Sequence, residues 1–211
     1  MHVDLTHRVE NGMQTYPGDP EVSVEAHATH ATDGYRVAAL SLGSHAGTHV
    51  DAPAHTEPEG RTLDSYPPER FVFDAVRVDC RDLGPREPVG PERLPEDGEL
   101  VAVWTGYDDH WGSERYLEHP YLSPAAAELC AERGLAVGTD TLGPDPTPTD
   151  RAGSDEPEGV PAHHALLGAD CLVVENLRNL GAAGERFELR AYPLALAGDG
   201  APARAVAVPV R

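Results

Sequence analysis

Glycine and proline break up this chain throughout, with 21 glycines and 20 prolines among its 211 residues. Proline has no amide hydrogen to donate and glycine is unusually free in its backbone angles, so both interrupt regular elements. This punctuation predicts short strands joined by many loops and disfavours a helical bundle. A chain of this length is expected to form one domain, residues 1–211.

Runs rich in Val, Leu and aromatic residues, each bounded by turn residues, predict strands along most of the chain. They cover residues 22–25, 35–41, 71–79, 100–104, 135–138, 171–174, 187–196 and 203–210. Two segments rich in proline, glycine and acidic residues, 81–99 and 143–161, are expected to be loops whose acidic side chains face solvent.

Two helices are expected. In residues 123–133, Ser123 suits the N-cap, Pro124 suits the first helical position, and Gly134 suits the left-handed stop. The second helix should cover residues 161–167 and end at Gly168. A strand follows each helix, so the predicted fold class is α/β or α+β, with short strands and few helices in one domain.

The formal net charge of −20 limits the partners of this protein. Nucleic acid and anionic membrane surfaces would both be repelled, so we expect neither, and expect small or cationic partners instead. The chain contains no lysine and no isoleucine. Two explanations stay open: a GC-rich genome, or a halophilic source in which salt screens the self-repulsion of an acidic surface.

The three cysteines are odd in number and far apart, at Cys80, Cys130 and Cys171. They are expected to be small buried hydrophobic residues of a reducing compartment. The first residues show neither a basic leader nor an apolar core of a signal peptide, and no apolar run approaches ~18 residues. We therefore expect a cytoplasmic protein.

A dense group of metal-binding side chains, His45, His49, Asp51 and His55, occupies eleven consecutive residues. A divalent ion needs several lone-pair donors at about 2.0–2.2 Å, and imidazoles with one carboxylate are usual ligands for zinc or manganese. The alternative is that they are surface histidines of a histidine-rich protein, the interpretation that we prefer for His27 and His30.

The residues between these donors indicate how the segment is folded. Gly47 and Pro53 disfavour a helix, so we expect the end of a strand followed by a tight turn. Glycine would allow the backbone to approach an ion closely. In an extended segment, alternate side chains share a face, which places His49 and Asp51 on the same side. Pro53 would then fix the turn that brings in His55.

A second group contains the adjacent His163 and His164, followed by Glu175. Glu175 ends an apolar run, and the carboxyl ends of buried strands are where ligand sites of α/β sheets tend to lie. A buried carboxylate without a nearby cation would be costly. The alternative is that the two histidines only cap a helix.

The eleven-residue run is similar to H-x-G-T-H-x-D-x-P-x-H, the signature of the cyclase family of metal-dependent hydrolases, which includes bacterial kynurenine formamidase and isatin hydrolase. Residues 16–19 (Tyr-Pro-Gly-Asp) resemble the family's aromatic-P-G-D motif. Four further segments fall in the family's order: Thr105-Gly106, His119-Pro120, Gly138-Thr139-Asp140 and Glu175-Asn176-Leu177. The resemblance therefore extends over nearly the whole chain.

The resemblance implies a compact β/β/α domain of the swivelling type, often a homodimer, that holds one or two divalent ions. Zn²⁺ is expected first and Mn²⁺ is the alternative. Five metal ligands carry over, with Asp51 bridging the two ions: His45, His49, Asp51, His163 and Glu175. His163 is preferred to His164 because the family's spacing from this histidine to the glutamate is twelve residues, which only His163 satisfies.

The implied reaction is hydrolysis of a small-molecule amide, an aryl formamide such as N-formylkynurenine. A bound ion lowers the pKa of water to about 7, which provides a hydroxide nucleophile. His55 would act as general acid and base, and Tyr16 would stack on the substrate ring. The family's formamidases carry Trp at the position of Tyr16 and Thr at the position of Pro20.

Those two differences leave a second enzyme hypothesis open, ring opening of another cyclic or aryl amide, as in isatin hydrolase. A third hypothesis is a metal-binding homologue without turnover, against which an intact His55 argues. Other nucleophiles have no support, because the sequence has no G-x-S-x-G elbow, no phosphate-binding P-loop and no lysine for a Schiff base.

Overall fold

The computed structural model describes residues 1–210, which form twelve strands and four α-helices. The strands are β1 (Val3–Asp4), β2 (Ser23–Ala28), β3 (Val37–Ser41), β4 (His49–Asp51), β5 (Val72–Asp79), β6 (Pro88–Val89), β7 (Leu100–Trp104), β8 (Tyr121–Leu122), β9 (Ala136–Thr139), β10 (Val173–Glu175), β11 (Arg186–Pro193) and β12 (Gly200–Pro209). The helices are α1 (His30–Asp33), α2 (Pro124–Arg133), α3 (Pro161–Gly168) and α4 (Leu180–Ala183). Several single 3₁₀ turns lie between them.

One large sheet organises the molecule. Its strands follow the order β1-β12-β11-β5-β7-β9-β10-β4, and β4 also pairs with β12. Seven strands, β12 through β4, therefore close into a barrel, and β1 adds to the outside of β12. The pairs β5–β7, β7–β9 and β9–β10 are parallel, while the other pairs of this sheet are antiparallel.

Strand β7 shows how the barrel is packed on both faces. Leu100 and Ala102 join the large apolar cluster that also contains Phe73 and Phe187. Val101 and Val103 face the opposite way and join a second cluster, to which α2 and α3 contribute. Because side chains alternate along a strand, a strand buried on both faces becomes a continuous apolar run. The expected mixed α/β fold with few helices is confirmed.

Most local predictions are confirmed. Strand β7 has the predicted bounds, and β5 begins one residue later than predicted. Helix α2 is capped as expected: the Ser123 side chain accepts a hydrogen bond from the Ala126 amide at 3.2 Å, and Gly134 has φ +67°. Helix α3 ends at Gly168, one residue beyond the predicted 161–167.

Several predicted boundaries differ from the observed ones. Strand β2 extends three residues beyond its predicted end, and β12 begins three residues before its predicted start. Strand β11 ends at Pro193 rather than at residue 196, because proline cannot donate to a neighbouring strand. The segment 81–99 is not wholly loop, since β6 pairs in parallel with β8 at Val89 and Leu122. Residues 143–160 contain neither helix nor strand, as predicted.

Cys80, Cys130 and Cys171 are all buried with free thiols, as expected, while the reducing compartment stays a prediction. The longest helix of residues 1–210 has ten residues, and none is long and apolar enough to cross a membrane.

Candidate metal centre

Strand β4 carries the middle of the histidine-rich run to the seam where the barrel closes. Its pairing with β10 places His49 opposite Glu175, and its pairing with β12 places Asp51 opposite Gly200. His49 and Asp51 lie two residues apart on one face of the strand, as the alternation predicted. A 3₁₀ turn, Pro53–His55, follows and brings His55 back beside them.

His49, Asp51 and Glu175 form the buried floor of the centre, each no more than 5% exposed. His49 Nε2 lies 3.1 Å from Asp51 Oδ1 and 3.2 Å from Glu175 Oε2. Two carboxylates and an imidazole nitrogen thus converge at one point, although two carboxylates repel each other unless positive charge lies between them.

His45 and His163 reach the same floor from opposite sides. His45 Nδ1 lies 2.7 Å from Asp51 Oδ1, and His163 Nε2 lies 2.9 Å from Glu175 Oε1. His163 Nε2 is also 3.8 Å from Asp51 Oδ2. Asp51 therefore stands between two sets of donors, the position that a bridging carboxylate requires.

Two buried atoms at this floor test whether a cation fits. His49 Nε2 and Asp51 Oδ2 are inaccessible to solvent and have no hydrogen-bond partner. Unpaired buried polar atoms are costly, and a divalent ion would satisfy both as ligands. The donor atoms of His45, His49 and Asp51 lie within 4.8 Å of one another, as do those of Asp51, His163 and Glu175. The residues present fit one or two divalent ions.

The outer nitrogens of two of these histidines are held by oxygen acceptors. His49 Nδ1 donates to the Gly47 carbonyl at 2.8 Å, and His163 Nδ1 donates to Asp145 at 2.7 Å. When it binds a metal, a neutral imidazole carries one N–H, so both rings would then turn the lone pair of Nε2 toward the centre. Gly47 has φ +65°, a backbone conformation that residues with a side chain rarely adopt, so the turn favours glycine.

The charges of the floor are mutually stabilising. Burial raises the pKa of Asp51, but the charge of His49 and hydrogen bonds from the surrounding histidines outweigh it and hold that pKa well below its ordinary value. Burial lowers the pKa of His49, and the adjacent Asp51 and Glu175 reverse this and raise it well above its ordinary value. The centre therefore keeps its carboxylates ionised and attracts positive charge.

His55 lies at the edge of this group, with its side chain 32% exposed to a cavity. Its ring centroid is 4.1 Å from that of His45 and 5.5 Å from that of His163. Burial lowers the pKa of His55, and the neighbouring histidines add to this, while Asp51 opposes it. This lowering favours the neutral ring, which can accept a proton.

A cavity of about 340 Å³ opens above the centre. His45, His49, His55, His163 and Glu175 form its polar floor. Tyr16, Asp19, Leu142 and Val160 contribute to its walls. No arginine among residues 1–210 lines it. The cavity therefore combines apolar walls with acidic groups, Asp19 in the wall and Glu175 in the floor.

The structure separates other sequence candidates from the centre. His164 is exposed and lies 3.1 Å from Glu57, so only its neighbour His163 enters the centre. His27 and His30 are exposed, consistent with their exclusion. His30 starts helix α1, a helix that the sequence did not predict.

Two carboxylates at the centre were not singled out from the sequence. Asp145 was assigned to a solvated loop but is 5% exposed and bonds to His163, so the solvated interpretation is wrong for this residue. Asp199 lies 2.7 Å from His45 Nε2. The Gly-Asp-Gly sequence around Asp199 signals only a turn, and the pairing with His45 depends on closure of the barrel.

These features belong to a known class of protein. The model of the Cyclase family matches residues 3–146, and the chain belongs to this family. The relationship inferred from the histidine-rich signature is therefore confirmed.

Among its relatives, the chain is 33% identical to kynurenine formamidase of Salinibacter ruber, over 97% of this chain and 95% of that protein. It is 30% identical to kynurenine formamidase of Bacillus cereus, over 99% of this chain and 97% of that protein. Isatin hydrolase A from Labrenzia aggregata, bound to benzyl benzoate, superposes with a TM-score of 0.83 at 28% identity, covering 98% of this chain and 93% of that chain. A second isatin hydrolase, bound to the product analogue thioisatinate, shares the fold, with a TM-score of 0.85 at 24% identity, covering 100% of this chain and 92% of that chain.

Proposed function

We propose that this chain is a metal-dependent amide hydrolase that acts on an aryl formamide such as N-formylkynurenine. The observation that carries the proposal is the convergence of three histidines and two carboxylates beneath a cavity, with a neutral histidine beside them. Family membership and the two kynurenine formamidase relatives support the same reaction class.

We assign His45, His49 and Asp51 to a first ion, and His163 and Glu175, with the shared Asp51, to a second. The bound metal would polarise the amide carbonyl and make a water acidic enough to react near neutral pH. Imidazole and carboxylate donors suit Zn²⁺ and Mn²⁺, and we expect Zn²⁺ first.

His55 is the proposed general base and acid. Its Nδ1 faces Asp199 at 3.5 Å, which leaves Nε2 as the other ring nitrogen for proton transfer. Nε2 would take a proton from the attacking water and return it to the amide nitrogen as the C–N bond breaks, releasing formate and an arylamine. Such proton transfer contributes about 10²–10⁴ in rate.

The walls of the cavity suit a planar aromatic substrate. The half-buried ring of Tyr16 lines one side, and Leu142 and Val160 add apolar surface. Aromatic rings pair favourably in stacked or edge-on arrangements, so Tyr16 is our substrate-binding residue. A volume of about 340 Å³ lies at the small end of the range for ligand pockets.

A cyclic aryl amide is the second candidate substrate. It is favoured by the similarity to isatin hydrolase A, which extends over nearly all of both chains. Ring opening would use the same ligands and the same proton carrier, so only the cavity walls would separate the two substrates.

We also propose a homodimer. The hairpin β2–β3 leaves every residue of β3 exposed, including Leu40 at 60%, and Tyr35 beside it is 59% exposed. An apolar hairpin exposed in this way is typical of a surface covered by another protein chain. The single domain over residues 1–211, the swivelling type of its fold, its cytoplasmic location and a role in tryptophan catabolism stay predictions.

Turnover of N-formylkynurenine by absorbance tests the proposal. The metal-loaded protein, its chelator-stripped form and the His55→Ala variant are compared, with His164→Ala as a matched control that removes an exposed imidazole. We expect activity in the loaded protein and in the control, and loss in the other two forms. A loaded protein that binds a stoichiometric ion but opens only isatin would move the assignment to cyclic amides.

A loaded protein that hydrolyses neither substrate would contradict the proposal.

A further inference from the structure

Asp199 occupies a rigid turn directly beside the proposed centre. Its carbonyl accepts a hydrogen bond from the Ala52 amide at 2.8 Å, and the carbonyl of Gly198 accepts one from Leu63 at 3.0 Å. Gly200 pairs with Asp51 across the barrel seam. The backbone of this turn is therefore fixed relative to the strand that carries the proposed ligands.

The turn lies against the ring of His45. An added Cβ at Gly200 would lie 2.6 Å from His45 Cε1, so only glycine lets the imidazole pack against the backbone. The side chain of Asp199 then reaches the outer edge of the ring, with Oδ2 2.7 Å from Nε2. Both ring nitrogens of His45 thus have a carboxylate at 2.7 Å, Asp51 on the inner side and Asp199 on the outer.

A neutral His45 carries one N–H group, so only one of these carboxylates can accept a hydrogen bond from it. If Nδ1 is to offer a lone pair to an ion beside Asp51, the proton must be on Nε2, where Asp199 accepts it. The other two proposed histidine ligands follow the same rule, since Gly47 and Asp145 hold their outer N–H groups. Asp199 completes the set for His45.

The same oxygen of Asp199 also faces the proton carrier. Oδ2 lies 3.5 Å from His55 Nδ1, within ion-pair range, while the ring of His55 lies 4.1 Å from that of His45. A carboxylate at this distance stabilises the positive charge that His55 acquires when it takes a proton. One side chain therefore contacts a proposed ligand and the proposed base.

The geometry points to Asp199 as a positioning residue that fixes the tautomer and orientation of His45 for metal binding and supports the charged form of His55. Its action on His55 rests on the proposed hydrolase function. Its action on His45 concerns metal binding alone, so it can be tested without any substrate.

The test compares Asp199→Ala, Asp199→Asn and an exposed control, Asp109→Asn, after circular dichroism has shown that each folds. Two properties are measured: the Zn²⁺ affinity by competition with a chromogenic chelator, and kcat and KM for N-formylkynurenine.

In Asp199→Ala we expect Zn²⁺ to bind about 10–100-fold more weakly. Asp199→Asn keeps an acceptor oxygen and loses the charge, so it should restore most of the metal affinity while kcat stays low and KM changes little. The control should match the wild type in both measurements.

Wild-type Zn²⁺ affinity in Asp199→Ala would overturn the inference, whatever the turnover. If neither the wild type nor any variant hydrolyses the amide, the proposed function fails. If Asp199→Ala still binds Zn²⁺ more weakly than the wild type, the role of Asp199 toward His45 stands.

Discussion

Asp145 accepts a hydrogen bond from Nδ1 of His163 at 2.7 Å, across 18 residues of sequence. Its carboxylate also accepts from the amides of Ala162 at 2.8 Å and His163 at 3.0 Å, so one side chain both caps helix α3 and orients a proposed metal ligand. The cap stabilises the helix start, and the contact with the ring directs Nε2 toward Glu175.

Replacing Asp145 by alanine should therefore have two effects. We expect the free energy of unfolding to fall by about 1–2 kcal/mol through loss of the cap. We expect the ion assigned to His163 and Glu175 to be lost or to bind about 10–100-fold more weakly. Denaturant unfolding and metal analysis measure these effects, with Asp145→Asn as the milder control. Unchanged metal content in the alanine variant would argue against His163 as a ligand.

Arg86 anchors the long loop over the cavity. Its guanidinium pairs with Glu156 at 2.7 Å and donates to the Thr147 carbonyl at 3.0 Å, and the Arg86 and Glu156 side chains are only 9% and 13% exposed. Removing one partner of a buried ion pair leaves the other charge without compensation, which costs about 3–5 kcal/mol.

Arg86→Ala should accordingly lower the free energy of unfolding by up to this amount. It should also raise KM, because the loop carries Gly143 and Val160 to the cavity wall. Arg151→Ala, which changes an exposed arginine of the same loop, is the control. Equal stability of the two variants would show that the Arg86 pair does not hold the loop.

His119 is a buried histidine that stays neutral when the protein is folded. Its Nδ1 donates to the Pro120 carbonyl at 2.8 Å, and its Nε2 accepts from Thr147 Oγ1 at 2.9 Å. Burial lowers the pKa of His119 from 6.5 to about 4. Below pH 6.5 the unfolded chain takes up a proton that the folded chain does not, so unfolding becomes easier as the pH falls.

The contribution of His119 to stability is thus complete above pH 6.5 and is lost progressively toward pH 4, by about 3 kcal/mol at most. His119→Gln removes the titrating group and keeps an acceptor for Thr147. We expect it to be less stable than the wild type at pH 7.5 and nearly as stable at pH 4.5, as measured by urea unfolding. If the free energies of unfolding of the two proteins change in parallel with pH, this assignment is refuted.

The net charge of −20 predicts a response to salt. Screening weakens the repulsion among exposed carboxylates, whereas the few exposed Arg–Asp pairs contribute little to stability. We expect Tm to rise between low and molar sodium chloride, by about 2–4 °C for each kcal/mol of repulsion relieved in a chain of this size. A flat or falling Tm would favour the simpler explanation of a GC-rich genome.

The exposed hairpin predicts how assembly responds to mutation. Light scattering should give twice the chain mass for the wild type, and Leu40→Asp should shift the protein toward monomer, because a charge would be buried in an apolar contact. Leu194 is similarly exposed, at 62%, but lies outside the hairpin, so Leu194→Asp is the matched control. A dimer that survives Leu40→Asp and is lost in the control would place the interface elsewhere.

Local features of the fold could be predicted because their causes are local. Strand β7 is a continuous apolar run, and helix α2 has its cap and its glycine stop within the segment itself. Strands β1, β4, β6 and β8 were not predicted with bounds, because each is only two or three residues long and exists through its partners.

The sequence by itself placed His45, His49, Asp51 and His55 within eleven residues, and strand alternation set the common side of His49 and Asp51. Tertiary structure alone decided the outer contacts. Asp199 meets His45 across 154 residues, through closure of the barrel by β4 and β12, and Asp145 leaves a loop to meet His163. Such contacts depend on strand register and packing between distant segments, which no local pattern of residues encodes.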